Sequence, residues 1–162
     1  MKNTKEVLKG RLVRLEKQYR ALSEYYKLIE DLLKKKNIFN GEIFEGLDIR
    51  DKALLDAYLK RFASVQDFLG AKIFPLLVDI SGVTADKMTE TLFVMEREEI
   101  IESLDVWIEI RAIRNELEHD YPEDLDQALI DLKFCIDHFS TIEGYYINAG
   151  SFAERFIQGQ LS

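Results

Sequence analysis

At 162 residues and 18.9 kDa the chain has the size of one domain, and 47% hydrophobic with 32% charged residues supports a packed core. Eight glycines and two prolines argue against an all-β sandwich, no run approaches the roughly eighteen apolar residues of a membrane span, and the polar, basic Met1–Gly10 predicts no secretory leader. A net charge of −8 disfavours a protein that coats nucleic acid, and one cysteine with two histidines makes a poor zinc set, so a cytoplasmic protein without metal or cofactor is the expected class.

The first segment carries Leu8, Leu12, Leu15, Tyr19, Leu22, Tyr26, Ile29 and Leu33 at alternating spacings of four and three, a heptad stripe that predicts one long helix. Asn3 with Glu6 suits its N-cap, and Lys34, Lys35 and Lys36 complement the negative end of its dipole. After turn signals at Asn40-Gly41 and Gly46, Asp48 caps a second long helix with Leu55, Tyr58, Phe62, Val65, Leu69, Ile73, Leu76 and Ile80 on one face. Pro75 lies inside that stripe and predicts a kink. The two long helices should pair as an antiparallel hairpin, with more apolar stripe than one hairpin needs.

Ser81-Gly82 ends the hairpin, and Thr84 is expected to cap a third helix to about Arg97, with Met88, Leu92 and Met95 inward. Ser103 opens a fourth from Leu104 to about Glu118, stopped at the Tyr121-Pro122 step. A fifth is expected from Leu125 to Glu143, and Ser151 with Glu154 reads as a capping box for a short last helix near Gln158. There is no repeat and no linker, so residues 1–162 read as a single all-α domain, an antiparallel bundle of two long and several shorter helices.

Charge is uneven along this plan. Residues 1–36 hold 11 Lys/Arg against 5 Asp/Glu, and the remaining 126 hold 11 against 25. A basic first helix on an acidic body is an arm for RNA, a clamp on an acidic surface of its own fold or a partner, or a solvated face. Composition leaves these open.

Chemistry concentrates in Trp107-Ile-Glu-Ile-Arg111-Ala-Ile-Arg114-Asn115-Glu-Leu-Glu-His119-Asp-Tyr121-Pro122. Arg111, Asn115 and His119 recur every four residues and form one polar stripe. Arg114 and His119 are five residues apart, about 140° around a regular helix, so they diverge. They meet only if the last turn loosens, or if a two-fold partner presents a second copy. The plain alternative is a helix end where cations favour the dipole. Outside this segment, His138 and Cys135 read as structural, and Tyr25-Tyr26 and Tyr145-Tyr146 as packing residues rather than base-stacking platforms.

Arg114-Asn115-x-x-x-His119-x-Tyr121, with a tryptophan before it and a proline after it, resembles the R-x(4)-H-x-Y motif of HEPN-domain toxins of the HepT type. The order of elements agrees, two long helices followed by shorter ones. The resemblance implies a metal-independent ribonuclease toxin that acts as a homodimer, its cleft formed where two motifs face each other. Arg114 and His119 would be catalytic, with Asn115 completing the cleft and Arg111 a contact for RNA. It further implies a minimal nucleotidyltransferase antitoxin that transfers AMP to Tyr121. Histidine can take and return a proton near neutrality, and arginine can hold the phosphate while the 2′-hydroxyl attacks. DNA, lacking that hydroxyl, should be inert. Glu116, Glu118, Asp120, Glu123 and Asp124 crowd the motif with negative charge and repel RNA. They favour an alternative, a non-catalytic HEPN subunit that binds substrate for, or complexes with, a nucleotidyltransferase. On either reading, Arg114 and His119 at a helix end should be replaceable at little cost to folding.

Overall fold

In a computed structural model, which describes residues 3–118 and 123–159 with their side chains and the helical backbone of 119 and 120, the first helix opens at its expected cap. Asn3 Oδ1 accepts the Glu6 backbone N–H at 2.9 Å, and α1 runs Thr4–Lys35. Leu8, Leu15, Leu22 and Ile29 are fully buried, and the alternate positions Leu12, Tyr19, Tyr26 and Leu33 are partly buried. One chain supplies the cover: α3 (Ile49–Phe68), α4 (Phe74–Ile80) and α8 (Phe139–Gln158) all pack on α1. The surplus of apolar stripe expected from the sequence is therefore consumed internally. Among the described residues the architecture is all-α, without strands, and none of its helices is long and apolar enough to cross a membrane.

Between the long helices, Asn40 caps the short α2 (Gly41–Glu45) and Asp48 caps α3 through the Asp51 N–H at 2.8 Å. The expected kink is a wide turn. Residues Leu69–Ile73 form a π segment, and the Phe74 N–H reaches Leu69 O, five residues back. Pro75 then sits in the first turn of α4, where its missing N–H is harmless. Gly70 faces inward there, and a Cβ on it would lie 3.0 Å from the Trp107 ring, so the wide turn lets two backbones approach over an indole. Arg11 donates to the Lys72 carbonyl of this turn at 2.9 Å, and Arg14 lies over Phe68. Part of the basic character of α1 thus braces its own fold.

The shorter helices depart further from expectation. α5 spans Met88–Arg97 and begins four residues after Thr84, with the Glu90 carboxylate reaching back to the Asp86 N–H at 3.0 Å. Thr91, Leu92, Val94 and Met95 face the core, whereas Met88 is 38% exposed. It stops in a Schellman turn without glycine: Glu99 takes φ 60°, and the Ile100 and Glu99 N–H groups bond Met95 O and Glu96 O. Ser103 Oγ receives the Asp105 N–H and opens α6 (Leu104–Asp120). The stop expected at Tyr121-Pro122 lies outside the described residues.

The single helix expected over 125–143 is two. Asp124 caps α7 (Leu125–Asp137), and the chain breaks at His138 before α8 begins. The break comes without glycine or proline: the His138 N–H still bonds Phe134 O at 3.0 Å, and its Nδ1 donates to the same carbonyl at 2.8 Å while the ring stacks on Phe134. α8 then runs unbroken through Ser151, so the expected capping box is helix interior. Phe139, Ile142, Tyr145, Ala149, Phe152 and Ala153 form one buried face whose packing carries the helix past Gly144 and Gly150.

Aromatic rings seal α1 against α3 and α8. Tyr146 stacks on Tyr19 at 4.1 Å between centroids, Tyr26 stacks on Phe139 at 4.0 Å, and Tyr58 continues the row to Phe62. Tyr26, Tyr145 and Tyr146 are therefore packing residues. Tyr58 is fully buried and its hydroxyl donates to Cys135 O at 2.8 Å, satisfying a carbonyl just before the α7–α8 break. Tyr58→Phe should lower unfolding stability by about 1–2 kcal/mol, with the helical spectrum unchanged; urea titration reads this directly.

Candidate functional site

Trp107, Ile110, Arg114 and Leu117 follow the 3, 4, 3 spacing of an inward face, and the structure buries all four. Arg114 is thus an arginine in a core position, 5% exposed. A buried guanidinium needs partners for its donors. α3 supplies them. Arg114 Nε donates to Gln66 Oε1 at 2.8 Å, Nη2 pairs with the Asp67 carboxylate, and Nη1 lies 3.5 Å from Asn115 Oδ1. Gln66 is 1% exposed and itself anchored, since its Nε2 donates to Trp107 O at 3.0 Å. A relay therefore runs from the α6 backbone through a glutamine on α3 and back to an arginine on α6. It fixes two helices and one guanidinium together.

Over this relay lies a groove of about 540 Å³ between α3 and α6. Asp56, Lys60, Ser64 and Asp67 line it from α3, and Arg114, Asn115 and Glu118 from α6. Its carboxylates outnumber its cations. Asn115 and Arg111 are exposed and face outward while Arg114 turns in. α6 keeps a helical backbone through Asp120, so the loosened last turn that would bring positions 114 and 119 together is not formed. The His119 side chain and Tyr121 lie outside the described residues.

Other candidate groups are inert. Cys135 is fully buried, and burial first, then the nearby Asp131 carboxylate, push its thiol up to about 12, so it is no nucleophile. Tyr145 is buried, and its hydroxyl bonds Glu102 at 2.6 Å; desolvation and then that carboxylate keep its phenol protonated. Among the described residues no cluster of histidine, cysteine and carboxylates could hold a metal ion.

Gln66 and Asp67 escaped sequence reading. A signal existed: Gln66 stands four residues after Phe62 on the buried face of α3, as Arg114 does after Ile110 on α6. Two polar residues in two apolar stripes point to each other, because each needs a buried partner. Comparison of the chain with protein-family models, with curated proteins and with solved structures finds no match.

The burial of Arg114 changes what its replacement does. The low folding cost expected of a helix-end arginine gives way to that of a core residue. Arg114→Ala would strand the buried Gln66 Oε1 and open a gap in the core, and should cost about 2–4 kcal/mol of unfolding free energy, read by urea denaturation. Arg111→Ala, at an exposed position, should stay within about 0.5 kcal/mol of wild type.

Proposed function

We propose that this chain is a metal-independent ribonuclease, the toxin of a toxin–antitoxin pair, acting as a two-fold homodimer. The observation that supports it most is the immobilised Arg114 guanidinium on the floor of a groove, with Asn115 beside it on a regular α6. A ribonuclease that uses no metal needs a fixed cation at the scissile phosphate and a proton acceptor at the 2′-hydroxyl. In the proposed reaction His119 takes the 2′-hydroxyl proton and the oxygen attacks phosphorus. The P–O5′ bond breaks, the 5′-oxygen takes a proton from solvent and leaves as a hydroxyl, and a 2′,3′-cyclic phosphate remains. Arg114 offsets the charge that builds on the phosphate oxygens.

The regularity of α6 supports the proposed dimer. With the backbone helical to Asp120, positions 114 and 119 of one copy lie about 140° apart around the helix axis, and an opposing copy would supply the missing group. Tyr121 is the proposed AMP acceptor for a minimal nucleotidyltransferase antitoxin, placing a charged nucleotide at the entrance of the cleft.

One observation favours a second reading. Asp56, Asp67 and Glu118 outnumber Lys60 and Arg114 in the groove, and Arg114 already holds a carboxylate. A non-catalytic HEPN subunit that complexes with a nucleotidyltransferase would have no need to release it.

His119→Ala separates the two. The purified wild-type chain should cleave RNA with chelator present and leave DNA intact, whereas His119→Ala, with an unchanged helical spectrum, should lose cleavage by at least about a hundredfold. A wild type inert on RNA both alone and with its partner removed would favour the non-catalytic reading. Light scattering should report about twice the 18.9 kDa chain mass at micromolar concentration; a monomer would contradict the composite site.

A further inference from the structure

The two partners of Arg114 on α3 differ in what holds them. Gln66 is 1% exposed and tied to Trp107 O, so it cannot leave without opening the α3–α6 interface. Asp67 has a side chain 60% exposed, on the groove-lining face of α3, and can rotate into water through its own χ angles alone. The side chain of Arg114 is 6% exposed and pinned at Nε, so it cannot follow. A fixed cation with a detachable counter-ion results.

We infer that Asp67 is a resident anion on the phosphate-binding edge of Arg114, an autoinhibitory carboxylate that a phosphate group must displace to enter the groove. The chemistry matches, because a carboxylate and a phosphate oxygen pair make the same charge-assisted hydrogen bonds to a guanidinium edge. The groove volume of about 540 Å³ falls in the range that admits a nucleotide-sized ligand. Lys60, Ser64 and Asn115 line the same groove and offer further donors once Asp67 has turned away. Displacement by exchange also makes sense of the acidic walls. They exclude anions until the one contact that recognises phosphate is formed. This inference rests on the ribonuclease reading only for the identity of the ligand as RNA; the anion exchange stands on the geometry of Arg114, Gln66 and Asp67.

The test titrates the full chain with inorganic phosphate, following the Arg114 Nε–H resonance by ¹⁵N NMR. A 2′-O-methyl oligoribonucleotide, which carries phosphodiesters but no nucleophile, is titrated in parallel. Asp67→Asn, nearly isosteric at an exposed site, should bind phosphate about tenfold more tightly than wild type. Asp56→Asn removes the same charge from the groove wall without touching Arg114, and should change binding by no more than about twofold. Asp67→Ala should match Asp67→Asn, which guards against a local effect of the amide. Equal affinity of wild type and both Asp67 variants would overturn the proposal, and so would an equal gain from Asp56→Asn, which would reduce it to net charge. Tightening of the oligonucleotide as well as phosphate assigns the site to RNA, and tightening of phosphate alone assigns it to a small phosphorylated ligand. Tightened phosphate without RNA cleavage by any variant would sink the ribonuclease and leave the displaced carboxylate standing.

Discussion

A charged guanidinium inside a helical core must be answered by the elements around it, and in this protein the answer fixes the geometry of the candidate site. Arg114 sits where α6 would otherwise place an aliphatic side chain, and α3 meets it with Gln66 and Asp67. Burying the charge without them would cost far more than the hydrophobic contacts of that layer return. Neither helix can slide or rotate against the other without breaking a bond at the centre of the interface. The direction of the motif arginine is therefore a property of the fold.

The same layer explains the distortion of the second long helix. Trp107, whose carbonyl anchors Gln66, also places its ring against Gly70 in the π segment and packs at a tilt against Phe74 and Tyr145. A regular α-helix through 69–73 would shift the register of Ile73, Phe74 and Leu77, all fully buried. The wide turn absorbs one residue, brings Pro75 to a harmless position and leaves room for the indole. Pro75, Gly70 and Trp107 are thus three parts of one solution, connected to the polar relay through a single carbonyl. Arg11 and Arg14 brace its outer side from α1.

Much of this was legible in the residues, and the rest failed for identifiable reasons. The heptad stripe gave α1 its limits, and Asp48 and Ser103 marked the starts they were expected to mark, because those signals are local. α7 ends at His138 and α5 ends before Glu99 without glycine or proline, the one where Tyr58 takes the Cys135 carbonyl and the other where Glu99 adopts a positive φ, and no pattern of residue types announces either. Ser151 and Glu154 carried the right spacing for a cap, and tertiary burial of Ala149, Phe152 and Ala153 overrode it. At the site, the motif grouped Arg114 with Asn115 and His119, although its place between Ile110 and Leu117 set it on the apolar stripe, apart from the exposed Arg111 and Asn115. Its partners on α3 lie 47 and 48 residues away and could be named only by asking which buried polar residue answers another.

Gln66 holds Arg114 rigidly, and the exchange rate of the Arg114 Nε proton with solvent measures that hold most directly. Side-chain ¹⁵N NMR should find the Arg114 Nε–H protected at least about a hundredfold relative to the exposed Arg20 and Arg111, and Gln66→Leu should abolish the protection. An Arg114 Nε–H that exchanges as fast as those of the exposed arginines in the folded protein would contradict it.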